Sequence, residues 1–369
     1  MTIEVLNVVG ARPNLMKMAP LVAEMANYPQ IHQTLLHTGQ HYDAQMSTVF
    51  FEELGLPEPD VYLGVGSGSH AWQTAQVMLA FETVCQDLKP NLVIVVGDVN
   101  STLACALTAA KLWIPVAHVE AGLRSLDRRM PEEINRVVTD SLADLLFTTS
   151  RDADENLKCE GIDPSRIHFV GNVMIDSLLQ HRQRAAKSRV LDRLGIVSRN
   201  YALLTLHRPS NVDDPQILSG ILSALEALQT QLPIVFPVHP RTRKNLRAFG
   251  LLDWVQDMVD LRCTDPLGYL DFLCLMDHAR LVLTDSGGVQ EETTILGVPC
   301  LTLRENTERP ITISEGTNQV VGSSPERILE ASMAVLEGGG KAGQIPELWD
   351  GRAAERIIQV VLSSFATSE

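Results

Sequence analysis

Leu92-Val93-Ile94-Val95-Val96 runs without interruption into Gly97-Asp98, and this stretch decides the fold. A strand with one wet face alternates apolar and polar residues, whereas an unbroken apolar run belongs to a strand covered on both sides, as in a parallel sheet wrapped by helices. Working outward, residues 5–9 before Gly10, then 116–119, 145–148 and 167–170, are similar short runs. Each ends in glycine or a polar loop and is followed by a longer helix-like segment, the alternation of strands with crossover helices. The chain therefore reads as α/β, with doubly wound parallel sheets.

After Gly171 a charged helical stretch, residues 181–193, leads to a fresh start at 201–206, and the pattern repeats through 234–238, 281–284 and 300–303. The reset predicts two similar domains, residues 1–171 and 172–351. Two domains also suit 369 residues, given roughly 100–200 residues per domain. The closing stretch, 352–363, reads as an amphipathic helix whose packing partner the sequence does not name, and we expect residues 352–366 to join the first domain.

Hydrophobic residues at 45% and charged residues at 20% fit a folded chain in water rather than a disordered or membrane-embedded one. No stretch approaches the roughly 18 uncharged apolar residues of a spanning helix. With 30 Lys+Arg against 45 Asp+Glu the net charge is −15, which argues against nucleic acid or anionic membrane as partner. Any anionic ligand must then meet a local positive pocket. The six cysteines are scattered, with no CxxC pair and no metal-ligand spacing, so no metal site is expected. The opening Met1-Thr2-Ile3-Glu4-Val5 has no basic segment or apolar leader, and we expect a cytoplasmic protein.

In α/β sheets, ligands gather at the carboxyl ends of strands, and the polar motifs of this chain stand there. Gly10-Ala11-Arg12-Pro13-Asn14-Leu15-Met16-Lys17 follows the first strand and precedes a helical segment, 18–25. Glycine permits close backbone approach, and Arg12 and Lys17 add cationic donors, so the turn suits a diphosphate. It matches neither GxGxxG nor GxxxxGK[ST], so no dinucleotide fingerprint or P-loop is read. A second anion candidate, Asp285-Ser286-Gly287-Gly288-Val289-Gln290-Glu291-Glu292, offers Ser286 as helix cap, glycines that expose N–H groups, and a carboxylate one turn on for the two hydroxyls of a ribose. Gly97-Asp98, His118-Val119-Glu120-Ala121-Gly122-Leu123-Arg124 and Pro131-Glu132-Glu133-Ile134-Asn135-Arg136 bring carboxylates to strand ends of the first half. Together with Arg124 and Arg136 they form a candidate set for acid/base chemistry. In the second half, His207-Arg208-Pro209-Ser210-Asn211, His239-Pro240-Arg241 and Thr307-Glu308-Arg309-Pro310 add His and Arg donors suited to a leaving diphosphate. These residues alone indicate a two-domain α/β protein for a phosphorylated, nucleotide-like ligand, with carboxylates available for proton transfer.

Those motifs, with Thr38-Gly39-Gln40-His41, run in order from about residue 3 to residue 322 and resemble the non-hydrolysing UDP-N-acetylglucosamine 2-epimerase family. The resemblance implies a GT-B fold of two Rossmann-like domains with an interdomain cleft, a homodimer, and interconversion of UDP-N-acetylglucosamine and UDP-N-acetylmannosamine with no cofactor. In that chemistry the proton on sugar carbon 2 is removed while UDP leaves carbon 1, giving a bound 2-acetamidoglucal, and UDP adds back after reprotonation on the other face. Position by position, Asp98, Glu120 and Glu132 match the family's catalytic carboxylates and His207 its catalytic histidine. Arg12, Lys17, Arg136 and Arg309 match its active-site cations, with His239 also expected at the substrate. Ser286, Gly287 and Gly288 match the phosphate-binding turn, Glu292 the ribose carboxylate, and Phe272 the aromatic against uracil.

Which carboxylate is the base stays open at this point. So does the sugar, because Asn14 stands where the family often has Glu and His207-Arg208-Pro209-Ser210-Asn211 replaces an HRREN form. A related UDP-sugar such as a 2,3-diacetamido uronic acid, or a GT-B glycosyltransferase reaction, are the alternatives. Asp43 departs from a glutamine of the activator pattern seen in some members, and no Arg or Lys occurs from residue 54 to residue 87.

Overall fold

Leu92–Val96 is a strand with every side chain buried, and it occupies the middle of a seven-stranded sheet. In the computed structural model, which describes residues 2–40 and 50–366, that sheet comprises β1 (Ile3–Val9), β2 (Ile31–His37), β3 (Val61–Tyr62), β4 (Leu92–Val96), β5 (Val116–Ala121), β6 (Leu145–Thr148) and β7 (Ile167–Phe169). The order is β3-β2-β1-β4-β5-β6-β7, and every pairing is parallel. A second sheet holds β8 (Ala202–Thr205), β9 (Ile234–Pro237), β10 (Leu261–Thr264), β11 (Leu281–Thr284), β12 (Cys300–Thr302) and β13 (Asn318–Val320). Its order, β10-β9-β8-β11-β12-β13, repeats the first pattern. Each sheet reverses its strand order once, between β1 and β4 and between β8 and β11, and such switch points are where open α/β sheets take ligands.

The chain divides into two units, Met1–Gln180 with Glu347–Glu369, and His181–Pro346. The first therefore extends past the boundary expected at residue 171, for a local reason. Ser177 donates its hydroxyl to the Met16 carbonyl, which has no helical partner because Pro20 lacks the N–H four residues on. Asp176 accepts from the Ala353 and Ala354 N–H groups at 3.2 and 2.7 Å, satisfying the otherwise unpaired start of the helix Ala353–Ala366. The Trp349 indole donates to the Thr149 carbonyl at 2.8 Å. These bonds tie both ends of the excursion to the first unit, and the closing helix packs on the helix Arg12–Met25. Its buried stripe, Ala353, Ala354, Ile357, Ile358 and Val361, is the expected amphipathic face.

Each unit has its own core. Leu6, Val8, Leu36, Phe81, Val93 and Val95 anchor one in the first unit; Leu204, Leu218, Leu222, Leu225, Leu283 and Leu301 belong to that of the second. Among the described residues, no helix is long and apolar enough to cross a membrane.

Candidate active site

The first switch point is closed by Asn14. Its Oδ1 accepts from the Gly10 and Ala11 N–H groups at 3.1 and 3.0 Å, and its Nδ2 donates to the Val96 carbonyl at 2.9 Å. One side chain thus joins the ends of β1 and β4 and supplies the capping acceptor that Ala11 lacks. For this reason the helix begins at Arg12 rather than at Met18 as expected, and the motif is its first turn. Gly10 cannot carry a side chain, since a Cβ there would lie 2.3 Å from Ser101 Oγ. Arg12, in the first helical position, is exposed, with its guanidinium 4.7 Å from the Phe50 ring centroid.

Lys17 is buried on that helix and pairs with Glu120 at 2.6 Å, both side chains almost wholly out of water. Glu120 is the unpaired residue where the β5–β6 register shifts between Val119 and Ala121, and it holds φ at 73°. A non-glycine residue in the left-handed region marks backbone strain, on the order of 1–3 kcal/mol, that the surroundings must sustain. Lys17 also lies against β4's end: a Cβ on Gly97, whose φ is +67°, would sit 2.8 Å from Nζ. On the other side of that turn, Arg136 donates to Asp98 Oδ2 at 2.5 Å and to Glu133 Oε2 at 2.6 Å. Asn135 holds the Asp98 carbonyl at 2.8 Å. Burial would raise the Glu133 carboxyl, but Arg136 and the Ser125 donors keep it below its ordinary value. Glu132, half-buried, stands in the first turn of the same helix, Pro131–Leu142. Lys17 and Arg136 therefore bracket Gly97-Asp98, with Glu120 and Glu133 as their other partners.

Arg124 takes no place in this group, contrary to expectation. It pairs with the fully buried Asp140 at 2.7 Å and grips Glu160 in a fork, at 2.7 and 2.6 Å. Asp140 also takes His118 Nδ1 at 2.6 Å, while His118 Nε2 bonds the Gly97 carbonyl at 2.8 Å. Burial pushes the Asp140 carboxyl up, but His118 and Arg124 outweigh it and hold it below the usual range. Asp140 was not singled out in the sequence; its role depends on partners from other elements, and no local spacing signals it.

At the second switch point, Thr205 and Thr284 hydroxyls meet at 2.6 Å. His207 follows β8, and its Nδ1 lies 2.8 Å from Asp285 at the end of β11. The His239 ring is 5.5 Å away and accepts the Arg241 N–H at Nδ1. Ser286 occupies the cap position of the helix Gly287–Leu296 but makes no side-chain capping bond, so the expected hydroxyl cap is not formed. Its N–H is held by Thr284 Oγ1 at 2.9 Å. Arg309 covers the helix start: a Cβ on Gly287 would lie 2.3 Å from its Nη1. The guanidinium pairs with Glu308 at 2.5 Å and Glu291 at 3.0 Å, and Gly288 is the next residue of the turn. Tyr269 reaches Glu292 at 3.3 Å, and Phe272 stands one turn further along the helix Tyr269–Asp277. Among the substrate-binding candidates of the second unit, Ser286, Gly287, Gly288 and Arg309 thus share one helix N-terminus, an anion-binding arrangement, and Glu292 stands further along the same helix.

Glu292 is fully buried, and burial drives its carboxyl up to about 8, with Glu291 adding to the rise against the Tyr269 bond. The folded protein keeps a proton that the unfolded chain sheds above 4.5. Its contribution to stability therefore falls as pH rises from there to about 8, by at most about 1.4 kcal/mol per pH unit. Glu292→Gln should accordingly gain stability relative to the parent between pH 5 and 8. Denaturant titrations at three pH values check this; a constant difference would contradict the assignment.

A family model described as UDP-N-acetylglucosamine 2-epimerase matches residues 23–362. The chain belongs to the UDP-N-acetylglucosamine 2-epimerase family. It is 43% identical over 359 residues to UDP-N-acetylglucosamine 2-epimerase of Methanococcus maripaludis, covering 96% of this chain and 97% of the relative. It is 42% identical over 364 residues to UDP-2,3-diacetamido-2,3-dideoxy-D-glucuronate 2-epimerase of Pseudomonas aeruginosa, covering 96% and 98%. The solved UDP-GlcNAc 2-epimerase of Methanocaldococcus jannaschii, in complex with UDP-GlcNAc and UDP, matches at TM-score 0.92 and 42% identity over 98% of this chain and 100% of that one. In this family the fold is α/β of GT-B type, as the resemblance implied. His41 and Asp43 lie outside the described residues.

Proposed function

We propose that this chain interconverts UDP-N-acetylglucosamine and UDP-N-acetylmannosamine by elimination and re-addition of UDP. The observation that carries the reading is the Glu120–Lys17 and Asp98–Arg136 pairs on either side of Gly97, in a chain of the epimerase family. The C2 proton of the sugar is not acidified by a carbonyl, so its removal must be coupled to departure of UDP from C1. The C2–H electrons form the C1=C2 bond, the C1–O pair leaves with the diphosphate, and the proton goes to a carboxylate. The forward base is one of Asp98, Glu120 and Glu132, and a second carboxylate of the three returns a proton to the opposite face. Lys17 holds Glu120 and Arg136 holds Asp98 in place for this transfer.

The departing diphosphate needs donors. Ser286, the Gly287 and Gly288 N–H groups, Arg309, His207 and His239 supply them, and Arg12 is a further cation for the same charge. Glu292 takes the ribose hydroxyls and Phe272 the uracil. No redox cofactor or metal enters a step of this kind, and the protein acts as a homodimer in the cytoplasm.

The 42% likeness to the diacetamido-glucuronate 2-epimerase supports one rival substrate. Turnover of UDP-N-acetylglucosamine and of the UDP-2,3-diacetamido uronic acid, compared as kcat/KM, separates the two. Preference for the first, with UDP and 2-acetamidoglucal trapped on quenching, is the expected result; preference for the uronic acid would replace the substrate but keep the chemistry.

A further inference from the structure

Asp285 directly follows β11, with its side chain wholly buried. Besides the His207 ring, its hydrogen-bond partners among the described residues are N–H donors. The carboxylate takes the His207 N–H at 3.1 and 2.9 Å, the Arg208 N–H at 2.9 Å and Asn211 Nδ2 at 3.2 Å, besides His207 Nδ1 at 2.8 Å. Burial alone would raise its pKa, but His207 and the two backbone N–H groups hold it below the usual carboxylate range. The group is therefore ionised and can only accept. It follows that Nδ1 of His207 carries a hydrogen in either charge state of the ring, and the exchangeable position is Nε2.

We propose that Asp285 is a positioning residue for His207, fixing the ring as the Nδ1–H tautomer so that Nε2 is the atom that takes and returns charge at the leaving diphosphate. This rests on the reading of His207 as the histidine beside that group. A plain turn clamp would need only the two backbone bonds. Here the same carboxylate that fixes the His207–Arg208 backbone also holds the imidazole, so main chain and ring are oriented by one anchor. A further titratable side chain packed on the ring is His239. Its Nδ1 accepts from the Arg241 N–H at 3.2 Å, so it presents no competing donor through that nitrogen.

An asparagine makes the argument testable. If its oxygen keeps the bonds of Oδ2 to both backbone N–H groups and to Asn211, its NH₂ must face His207 Nδ1. The ring can then bond only as the Nε2–H tautomer, with Nδ1 accepting. For Asp285→Asn we expect kcat to fall about 10²- to 10⁴-fold, the scale of a wrongly fixed tautomer elsewhere, with Kd for UDP changed less than about threefold. Nitrogen-15 spectra of histidine-labelled protein, with His207 assigned through His207→Gln, should show Nδ1–H in the parent and Nε2–H in the variant. A parent ring in the Nε2–H form, or a variant with near-parental kcat, would overturn the proposal. Should Asp285→Asn fail to fold, the parent tautomer alone decides. That spectrum is read without substrate, so a protein inert to UDP-sugars would overturn the epimerisation reading while the ring still supports or refutes the role of Asp285.

Discussion

Glu120→Gln and Asp98→Asn are each expected to lower kcat by about 10²-fold or more, the scale of a lost acid or base, while Kd for UDP changes less than about threefold. The substitutions are chosen to leave the packing alone. Glu120 is 2% exposed and bonded to Lys17 at 2.6 Å; a glutamine fills the same space and still offers Lys17 an oxygen. The asparagine of Asp98→Asn would likewise keep an acceptor for Arg136, whose other bond goes to Glu133 at 2.6 Å. What each variant loses is the ability to hold a proton. Apart from Arg12, the UDP contacts proposed above come from the second unit, so binding should persist. Steady-state rates in both directions, with calorimetric titration of UDP, check the prediction. Near-parental turnover in both variants would remove the carboxylate mechanism.

Arg309→Met should act on stability and binding together. Arg309 is 4% exposed, paired with Glu308 and with the wholly buried Glu291. Glu308 retains Arg304 at 2.8 Å, whereas Glu291 would lose the Arg309 charge it is paired with. Removing one member of a buried pair costs on the order of 3–5 kcal/mol. Affinity for UDP should drop by about 10- to 100-fold, the equivalent of one charged hydrogen bond. Denaturant unfolding and calorimetry, the latter well below the melting temperature, report the two effects separately. Unchanged affinity would take Arg309 out of the diphosphate site.

The central strands were legible because burial on both faces leaves an unbroken apolar run, and β4, β6 and β11 have the bounds expected from sequence. β2, β3, β10 and β13 were not foreseen. They lie at or next to sheet edges, where solvent tolerates His32, Gln33, Arg262 or Gln319 and the hydrophobic signal fades. The helix start at Arg12 was missed because its cap is supplied from inside the helix by Asn14 rather than by the residue before it. At the site, residues within a motif were readable and the clamps between motifs were not. Arg124 was grouped with the carboxylates by sequence proximity, yet its partners Asp140 and Glu160 come from later elements. Asp285 was visible as part of a phosphate turn, but its bond to His207 joins residues that follow separate strands. Such pairings exist only once the sheet has formed.

The measurement that bears most directly on the chemistry is proton NMR of the pure protein with UDP-N-acetylglucosamine in D₂O, without added NAD or metal. Elimination through a 2-acetamidoglucal predicts that UDP-N-acetylmannosamine appears and that carbon 2 of the new epimer carries deuterium. Epimer formed with the original carbon-2 proton retained in full, or a substrate that binds yet neither exchanges nor epimerises, would contradict the account.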